Sequence, residues 1–300
     1  MTSIVIAAHN EAPVIGRCLD SLLADAAQGE LDVVVVANGC TDATAEVARS
    51  RPGVRVIEVG EASKPSALNA GDEVALGFPR IYLDADIVVS TAGVRTLADA
   101  LDPVRGTQGL GASAPLAAVP RRELVLRGRP VVVRAYFAVN SRLPVFQDGL
   151  FGRGMIGLSR EGRDRFELFP DMVADDLFLD SLFVPAEKCQ VGSVVTVVET
   201  PRRTGDLLRR LVRVRRGNAA MRVAGRVGDV DAQVRRAARL SWLRDVVLPR
   251  PWLAPAGLVY VCVSVLAAAA ARRHPESTAW ARDESTRTHV SEEGSGEGPS

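Results

Sequence analysis

The apolar run at residues 81–83 ends abruptly in two aspartates, Asp84 and Asp86, with only Ala85 between them. A buried strand that ends in two carboxylates is costly unless a positive charge meets them. The usual partner is a hard divalent cation, which takes oxygen ligands and shares them with phosphate oxygens of a substrate. The spacing is therefore typical of a metal–phosphate site, and the alternative is a strand end followed by a solvated turn.

Four apolar runs alternate with three helical patterns up to this point in the chain. Continuous apolar strands that alternate with helices form a parallel sheet covered on both faces, so we predict an α/β fold. The predicted strands cover residues 3–8, 31–37, 54–59 and 80–83, and the predicted helices cover residues 11–27, 41–50 and 65–76, with Thr41 or Asp42 near the N-cap of the second helix.

Polar residues follow three of the predicted strands, at residues 9–11, 38–42 and 84–86. Ligands of such sheets bind beyond the carboxyl ends of the strands. All three segments should therefore open on one crevice.

The second half of the chain is less regular. We expect helix on either side of Pro130 within residues 121–143, and a helical, arginine-rich pattern over residues 204–244. An acidic segment at residues 171–176 precedes a mostly apolar one at residues 177–184.

Composition excludes several classes of function. The 300 residues carry a net charge of +1, which gives no electrostatic case for binding nucleic acid. The four cysteines lie far apart without a Cys-x-x-Cys pair, so a zinc knuckle or a disulfide framework is not expected. Two of the three histidines lie near the C-terminus, which disfavours a Ser-His-Asp arrangement. Met1 leads into an apolar strand without a basic segment, so we expect no signal peptide.

Residues 251–271 contain no charged side chain, and this length is close to the ~20 residues that cross a bilayer. We expect residues 251–273 to attach the chain to the membrane, either as a single C-terminal span or peripherally. The alternative is an alanine-rich helix buried against the protein. Residues 274–300 are rich in Ser, Glu, Gly and Thr, which predicts a disordered tail.

Five segments of the chain, in the same order, resemble those of family 2 glycosyltransferases. Residues 4–11 (Ile-Val-Ile-Ala-Ala-His-Asn-Glu) are similar to the family's opening strand, and residues 38–44 (Asn-Gly-Cys-Thr-Asp-Ala-Thr) to its Asp-Gly-Ser-Thr-Asp segment. Residues 64–71 resemble its Lys…Ala-Leu-Asn-x-Gly segment, residues 84–86 match its Asp-x-Asp motif, and residues 174–176 stand where it usually shows Glu-Asp. The order and spacing agree over roughly residues 2–220.

The resemblance implies the GT-A fold, a Rossmann-like, mostly parallel sheet flanked by helices, here with a C-terminal helical and membrane-associated segment. It implies transfer of a sugar, with inversion, from a UDP- or GDP-sugar to a hydroxyl of a glycan or lipid-linked acceptor, at the cytoplasmic face of the cell membrane. The expected units are a nucleotide-sugar-binding half at 1–100, an acceptor-binding and catalytic half at 101–220, a helical linker at 221–250, a membrane helix at 251–273 and a tail at 274–300.

By the same resemblance, Asp86 and Asp84 would hold a divalent cation, Mn²⁺ or Mg²⁺, which neutralises the departing diphosphate. Asp84 could instead face the ribose. Asp176, with Asp175 beside it, would be the base that activates the acceptor hydroxyl. The alternative for this pair is a helix N-terminus, where acids suit the helix dipole.

The remaining nucleotide contacts are expected at the ends of the first strands. His9 stands where the family often has Tyr, and its imidazole could stack on the base. Glu11 could orient the base or cap the following helix, and Asn38 could accept a hydrogen bond from a uracil-like imide. The other implied contacts are Ala8, Ala85, Lys64 to phosphate or ribose, and Arg213 to the diphosphate, whereas Asn69 is expected to stabilise the fold.

Two features limit the possible reactions. Residues 152–157 satisfy Gly-x-Gly-x-x-Gly, but they follow a loop and lead into a strand, so we interpret them as an acceptor-side loop with Arg160 or Arg163 facing acceptor or phosphate. Processive members of the family carry Gln-x-x-Arg-Trp after the base, and the comparable residues 210–214 lack both Gln and Trp. We therefore favour addition of a single sugar.

Two other classes compete with the transferase. A sugar nucleotidyltransferase uses a related sheet, but it would need a glycine-rich basic loop after the first strand, where this chain has His-Asn-Glu-Ala-Pro. A non-catalytic, membrane-anchored nucleotide- or glycan-binding protein is disfavoured by the intact Asp84, Asp86 and Asp176.

Overall fold

A computed structural model describes residues 1–102, 114–171, 175–227 and 240–273 of the chain. Its strands are β1 (Thr2–Ala8), β2 (Leu31–Asn38), β3 (Val54–Val59), β4 (Arg80–Leu83), β5 (Ala117–Val125), β6 (Met155–Leu158) and β7 (Lys188–Glu199). Its α-helices are α1 (Ala12–Leu23), α2 (Thr44–Arg49), α3 (Lys64–Val74), α4 (Thr91–Ala100), α5 (Val131–Asn140), α6 (Pro144–Asp148), α7 (Arg160–Arg163), α8 (Asp175–Ser181), α9 (Thr204–Val227) and α10 (Ala254–Arg273).

The strands form one sheet of seven in the order β3-β2-β1-β4-β6-β5-β7. Strands β1 to β4 are parallel to one another, β6 is antiparallel to both β4 and β5, and β7 is parallel to β5. The predicted α/β fold with a mostly parallel sheet is therefore confirmed, and β6 is the strand that breaks the parallel order.

Helices cover both faces of the sheet because alternate residues of each central strand point to opposite sides. Ile4 and Ile6 of β1 pack in a cluster with residues of α1 and α4, whereas Val5 packs on the other face with residues of α3 and α8. Strands buried on both faces have nearly continuous apolar sequences, which is why β1, β2 and β4 were predictable.

The expectation of helix before Pro130 was wrong, because residues up to Val125 belong to β5. The register of β5 against β7 shifts between Pro120 and Arg121. Pairing with a strand about seventy residues away overrides the local helical pattern. After Pro130 the predicted helix is confirmed as α5.

Two helix boundaries also differ from those predicted. Helix α1 ends at Leu23 rather than near residue 27, and α2 begins at Thr44 with Ala43 at the N-cap position. The Asp42 carboxylate still serves this turn, because Oδ1 accepts from the Thr44 N–H at 3.1 Å. The expected disordered tail at 274–300 and part of the linker, residues 228–239, lie outside the described residues.

A buried ionic cluster joins α3, β4 and α7. The Asp72 carboxylate forms ion pairs with Arg80 and Arg163 and accepts from the Tyr82 hydroxyl at 2.9 Å. Arg163 therefore supports the fold, and the expectation that it faces acceptor or phosphate was wrong. The physical reason is that Asp72 is almost fully buried and requires compensating positive charge. Arg160 is exposed and lies over the ring of Phe78 at 4.3 Å.

Replacing Asp72 by alanine should leave two buried guanidinium groups without their carboxylate. Breaking a buried pair in this way costs about 3–5 kcal/mol. We expect the midpoint of thermal unfolding to fall by roughly 6–20 °C. Asp20→Ala is the control, because Asp20 pairs with Arg51 at the surface, and this variant should unfold near the wild-type temperature. Equal unfolding temperatures for the two variants would contradict the assignment.

Helix α10 packs along one face on α5 and α9. Val263 lies in a cluster with Val133, Phe137 and Leu207, and the Tyr136 and Tyr260 rings stack with centroids 5.1 Å apart. The other face is apolar and exposed: Leu258 is 67% exposed, Val265 60% and Leu266 59%.

One helical segment among the described residues is long and apolar enough to cross a membrane. It covers Pro251–Arg273, has a mean hydropathy of 2.1, and only 17% of its apolar window is buried. The segment is thus docked on the protein without being enclosed by it.

Candidate functional site

The loops after β1, β2 and β3 are tied to one another at the carboxyl edge of the sheet. The Glu11 N–H donates to Thr44 Oγ1 at 2.7 Å, and the Gly39 N–H donates to the Val59 carbonyl at 2.7 Å. Gly39 has φ +57°, and a Cβ there would lie 2.7 Å from the Ala62 nitrogen, so glycine is required for this approach. These strand ends therefore meet at one edge of the sheet; of the three predicted segments, Glu11 and residues 84–86 line the cleft at this edge, whereas residues 38–42 do not.

Of the residues expected at the nucleobase, Asn38 and Ala8 are buried within the fold, whereas His9 and Glu11 lie in the loop after β1. Asn38 is fully buried: its Oδ1 accepts from the Ser63 N–H at 2.8 Å and its Nδ2 donates to the Ala8 carbonyl at 3.3 Å. Its amide is therefore engaged within the fold, with Ala8 buried beside it. His9 donates from Nδ1 to the Asn38 carbonyl at 2.7 Å, and Glu11 lines the cleft.

Asp84 and Asp86 follow β4 and both line the same cleft. The Asp84 N–H donates to the Gly154 carbonyl at 2.8 Å, which fixes the strand end against the loop before β6. Gly154 has φ +69°, and a Cβ there would lie 3.4 Å from Asp84 Oδ2 and 2.4 Å from Ile87. The glycine therefore leaves space beside the Asp84 carboxylate that a side chain would fill.

Lys64 links the two acidic groups that the sequence pointed to. Its Nζ lies 2.9 Å from Asp84 Oδ1 and 3.0 Å from Asp175 Oδ2. Burial opposes the charge of this lysine, but the two carboxylates outweigh it and raise the pKa of Lys64 well above its usual value. Lys64 is thus a fixed positive charge between the end of β4 and the start of α8.

The carboxylate of Asp176 is held by a backbone donor: Oδ2 accepts from the Gly152 N–H at 3.0 Å. Burial, and then the negative charge of Asp175, raise the pKa of Asp176 to about 6, while Lys64 and the Gly152 N–H act in the opposite direction. A carboxylate with a pKa in this range suits general base catalysis near neutral pH.

A second buried ion pair holds α8 in place. Asp180 Oδ1 lies 2.7 Å from Lys188 Nζ, both side chains are 3% exposed, and the same carboxylate accepts from the Leu150 N–H at 2.9 Å. Asp180 therefore ties α8 to β7 and to the loop before β6. This arrangement fixes where Asp175 and Asp176 enter the cleft.

The cleft has a volume of about 540 Å³. Asp84, Ala85, Asp86, Asp175 and Asp176 line it together, as do Lys64, Glu11 and Arg213 of the predicted site. Sequence reasoning missed further lining groups: Glu61, the backbone of Gly152, and Arg210. Gly152 was visible in the sequence only as part of the Gly-x-Gly-x-x-Gly pattern. The loop with this pattern, which was expected on the acceptor side, borders the cleft.

The donor set fits a divalent cation that shares its ligands with a substrate. Within the described ranges, no group of three or more His, Cys, Asp or Glu side chains could hold an ion by itself. Mg²⁺-type sites use one or two carboxylates together with substrate phosphates. Asp86 is exposed to the cleft and Asp84 Oδ2 faces the space left by Gly154, so the two aspartates supply hard oxygen ligands of that kind.

Part of the chain is similar to a known protein family. Residues 3–105 match the model of Glycosyl transferase family 2. A search among curated proteins found no match.

Two solved structures share the fold. The mannosyltransferase PcManGT from Pyrobaculum calidifontis, in complex with GDP-Man and Mn²⁺, is 20% identical with a TM-score of 0.56, over 91% of this chain and 78% of that one. Glucosyl-3-phosphoglycerate synthase from Mycobacterium tuberculosis, in complex with Mn²⁺, UDP and phosphoglyceric acid, is 21% identical with a TM-score of 0.50, over 69% and 73% of the respective chains. The matched segment, about a third of the chain, contains β1 to β4 together with Asp84 and Asp86, and the chain shares the fold of these two glycosyltransferases.

Proposed function

We propose that this enzyme is a metal-dependent, inverting glycosyltransferase that moves one sugar from a nucleoside-diphosphate donor to an acceptor hydroxyl. The observation that carries the proposal is the connection across the cleft: Lys64 lies 2.9 Å from Asp84 and 3.0 Å from Asp175, the neighbour of Asp176. This connection supports a leaving-group site and a base that share one cavity.

The proposed base is Asp176. In its ionised form, Oδ2 would take the proton of the acceptor hydroxyl as the oxygen attacks the anomeric carbon. Attack on the face opposite the leaving diphosphate inverts that carbon, so no carboxylate nucleophile is required. The Gly152 N–H, which donates to the same oxygen, orients the carboxylate.

The donor side of the cleft would be formed by the ends of β1 and β4. Asp86 and Asp84 would hold Mn²⁺ or Mg²⁺, which when bound neutralises the charge that develops on the diphosphate. Lys64 would add a positive charge close to the phosphates or ribose, and Arg213 would meet the diphosphate from α9. His9 and Glu11 would contact the base.

The donor class is proposed as a UDP- or GDP-sugar. PcManGT was solved with GDP-Man and Mn²⁺, and the mycobacterial synthase with UDP and Mn²⁺. Both complexes combine a nucleoside diphosphate with a divalent cation on the same fold, which supports this class of donor.

Donor profiling by hydrolysis tests the proposal. The enzyme is incubated with each UDP- and GDP-sugar, with Mn²⁺, Mg²⁺ or EDTA, and the released nucleotide is measured. We expect release from one donor that depends on the metal, and inverted stereochemistry in the product by NMR. Stabilisation by a nucleoside triphosphate with no release would indicate a nucleotidyltransferase, and metal-independent binding without turnover would indicate a binding protein.

We also propose that α10 attaches the enzyme to the membrane. One face of the helix is docked on α5 and α9, whereas Leu258, Val265 and Leu266 are exposed on the other. Trp252 is 73% exposed at the start of the segment, and Arg272 and Arg273 end it, as in helices that lie at a membrane surface.

Replacing Leu258 and Leu266 together by glutamate should release the enzyme from vesicles. Each substitution removes an apolar side chain from the exposed face and adds a charge that is costly to bury in lipid. The measurement is flotation with liposomes that contain anionic lipid. Leu168→Glu is the matched control, because Leu168 is 64% exposed outside this helix. Retained flotation of the double variant, or equal loss in the control, would contradict the proposed attachment.

A further inference from the structure

Three arginines gather beside the loop that holds the proposed base. Arg153 is 3% exposed, and its guanidinium is saturated by the fold, since it donates to Gln190 Oε1 at 2.7 Å and to backbone carbonyls. Those carbonyls belong to Pro120, Phe146, Gln147 and Gly149. Arg153 is therefore structural, and its positive charge is a fixed part of the surroundings of Arg122 and Arg210.

Among the residues that the structure describes, the guanidinium of Arg122, on β5, forms fewer hydrogen bonds than that of Arg153. Its guanidinium donates to the Gly152 carbonyl at 3.3 Å and lies 5.0 Å above the ring of Phe146. In the described part of the chain, no carboxylate forms an ion pair with Arg122 or with Arg210. Burial, and then repulsion from Arg153 and Arg210, lower the pKa of Arg122 to about 10. A guanidinium in these surroundings is stabilised by an anion placed between it and its neighbours.

The position of Arg122 relative to the base is fixed by one residue. Gly152 accepts from Arg122 through its carbonyl and donates to Asp176 Oδ2 through its N–H, at 3.0 Å. Lys64, by contrast, reaches the base through Asp175. A ligand whose hydroxyl is at Asp176 could therefore place a nearby anionic group on Arg122 without using the lysine and carboxylates that serve the donor.

Helix α9 connects this position to the apolar C-terminal helix. Arg210 and Arg213 line the cleft, whereas Leu207 and Leu211 of the same helix pack in the cluster that includes Val263 of α10. An acceptor with an anionic head group and an apolar tail would place its head group at these arginines while its tail stays in the membrane to which α10 is proposed to attach. A soluble phosphorylated acceptor would use the arginines alone.

Resting on the proposed function, we propose that the acceptor carries a phosphate group, which Arg122 and Arg210 bind while its hydroxyl lies at Asp176. Guanidinium groups form paired hydrogen bonds with phosphate oxygens, and two of them suit a doubly charged phosphate monoester.

Binding of three matched probes tests the inference. The probes are 1-octanoylglycerol 3-phosphate, glycerol 3-phosphate and uncharged 1-octanoylglycerol, each titrated calorimetrically into the full chain. We expect both phosphates to bind more tightly than 1-octanoylglycerol. Tighter binding of the octanoyl phosphate than of glycerol 3-phosphate would assign a lipid acceptor, and equal binding would assign a soluble one. Equal affinity for the charged and uncharged octanoyl probes would overturn the proposal.

Arg122→Gln should weaken binding of the phosphate probe by about tenfold to a hundredfold, since a hydrogen bond to a charged group is lost. Arg121→Gln is the matched control: Arg121 neighbours Arg122 on β5, is exposed, and pairs with Glu123 at 2.8 Å, so the affinity should stay at the wild-type value. If Arg122→Gln fails to fold, Arg210→Gln provides the test instead, because Arg210 lies on α9. This variant should also weaken binding of the phosphate probe. Unchanged affinity in both folded variants would overturn the assignment.

Donor hydrolysis by the wild-type enzyme separates this inference from the function on which it rests. If no nucleotide-sugar is hydrolysed but the phosphate probe binds through Arg122, the proposed donor chemistry fails and the anion position stands. If a donor is hydrolysed but binding of the phosphate probe is independent of Arg122, the transferase stands and this inference fails.

Discussion

Replacing Asp176 by asparagine should reduce sugar transfer by about 10²–10⁴-fold, the range expected for loss of a general base. Asparagine retains an oxygen that can accept from the Gly152 N–H, so the variant should fold. The measurement is kcat/KM for release of nucleotide from the preferred donor, at saturating metal. Asp164→Asn, on the exposed turn after α7, is the control for loss of a surface carboxylate and should retain wild-type activity. Activity of Asp176→Asn within tenfold of wild type would contradict the assignment of the base.

The pH dependence of the same reaction identifies the base independently. The pKa of Asp176 is raised to about 6, and only the ionised form can accept a proton. Therefore kcat/KM should fall on the acid side of a pKa near 6, approaching a tenfold loss for each pH unit below it.

Two variants should shift the acid limb, the low-pH part of the profile where kcat/KM falls, in opposite directions. Asp175 raises the pKa of Asp176 and Lys64 lowers it, because like charge disfavours the ionised carboxylate and opposite charge favours it. Asp175→Asn should therefore shift the limb to lower pH, and Lys64→Gln should shift it to higher pH. Shifts in the same direction would show that a different group controls the profile.

The strands that could be predicted from sequence are those whose own residues are apolar enough to indicate burial. Strands β1, β2 and β4 are mostly apolar and almost wholly buried because both of their faces are covered, and each is followed by polar residues. Strand β5 was missed because Arg121 and Glu123 interrupt its apolar residues, and only pairing with β7 makes it a strand.

Side chains with the expected chemistry were not always available to a ligand. Asn38 and Arg163 have residue types that suit a base or a phosphate, but Ser63 and Asp72 engage them within the fold. Asn69 shows the reverse case: its predicted role in the fold is confirmed, because its amide pairs in both directions with the backbone of Phe169, at 3.0 and 2.8 Å. Such partners lie too far along the chain for a sequence pattern to reveal them.

Two further groups near the site were not predicted: one is a backbone N–H, and the other is a side chain brought there by strand pairing. The Gly152 N–H positions Asp176, yet a backbone donor leaves no side-chain signature in the sequence. In the sequence, Arg122 resembles a solvated charge on a helix. It lies beside Gly152 only because its segment forms strand β5.

Replacing Asp86 by asparagine should cost about 10²–10³-fold in kcat, which is the effect of removing one group that stabilises charge in a transition state. Asp86 lies at the cleft and is exposed, so this loss would arise from weaker binding of the cation and leave the fold intact. The concentration of Mn²⁺ that gives half-maximal activity should rise at least tenfold, since one hard oxygen ligand is lost. Unchanged metal dependence together with unchanged kcat would contradict a role for Asp86 in holding the cation.

Asp84→Asn separates the two roles considered for Asp84. If Asp84 holds the cation with Asp86, the half-maximal Mn²⁺ concentration should rise in this variant as it does in Asp86→Asn. If Asp84 faces the ribose, the KM for the donor should rise while the metal dependence stays at the wild-type value. Because Asp84 also pairs with Lys64 at 2.9 Å and adds to the pKa of Asp176, the acid limb should move to slightly lower pH in either case. An acid limb that stays fixed would show that the link from β4 through Lys64 to the base does not operate in the enzyme.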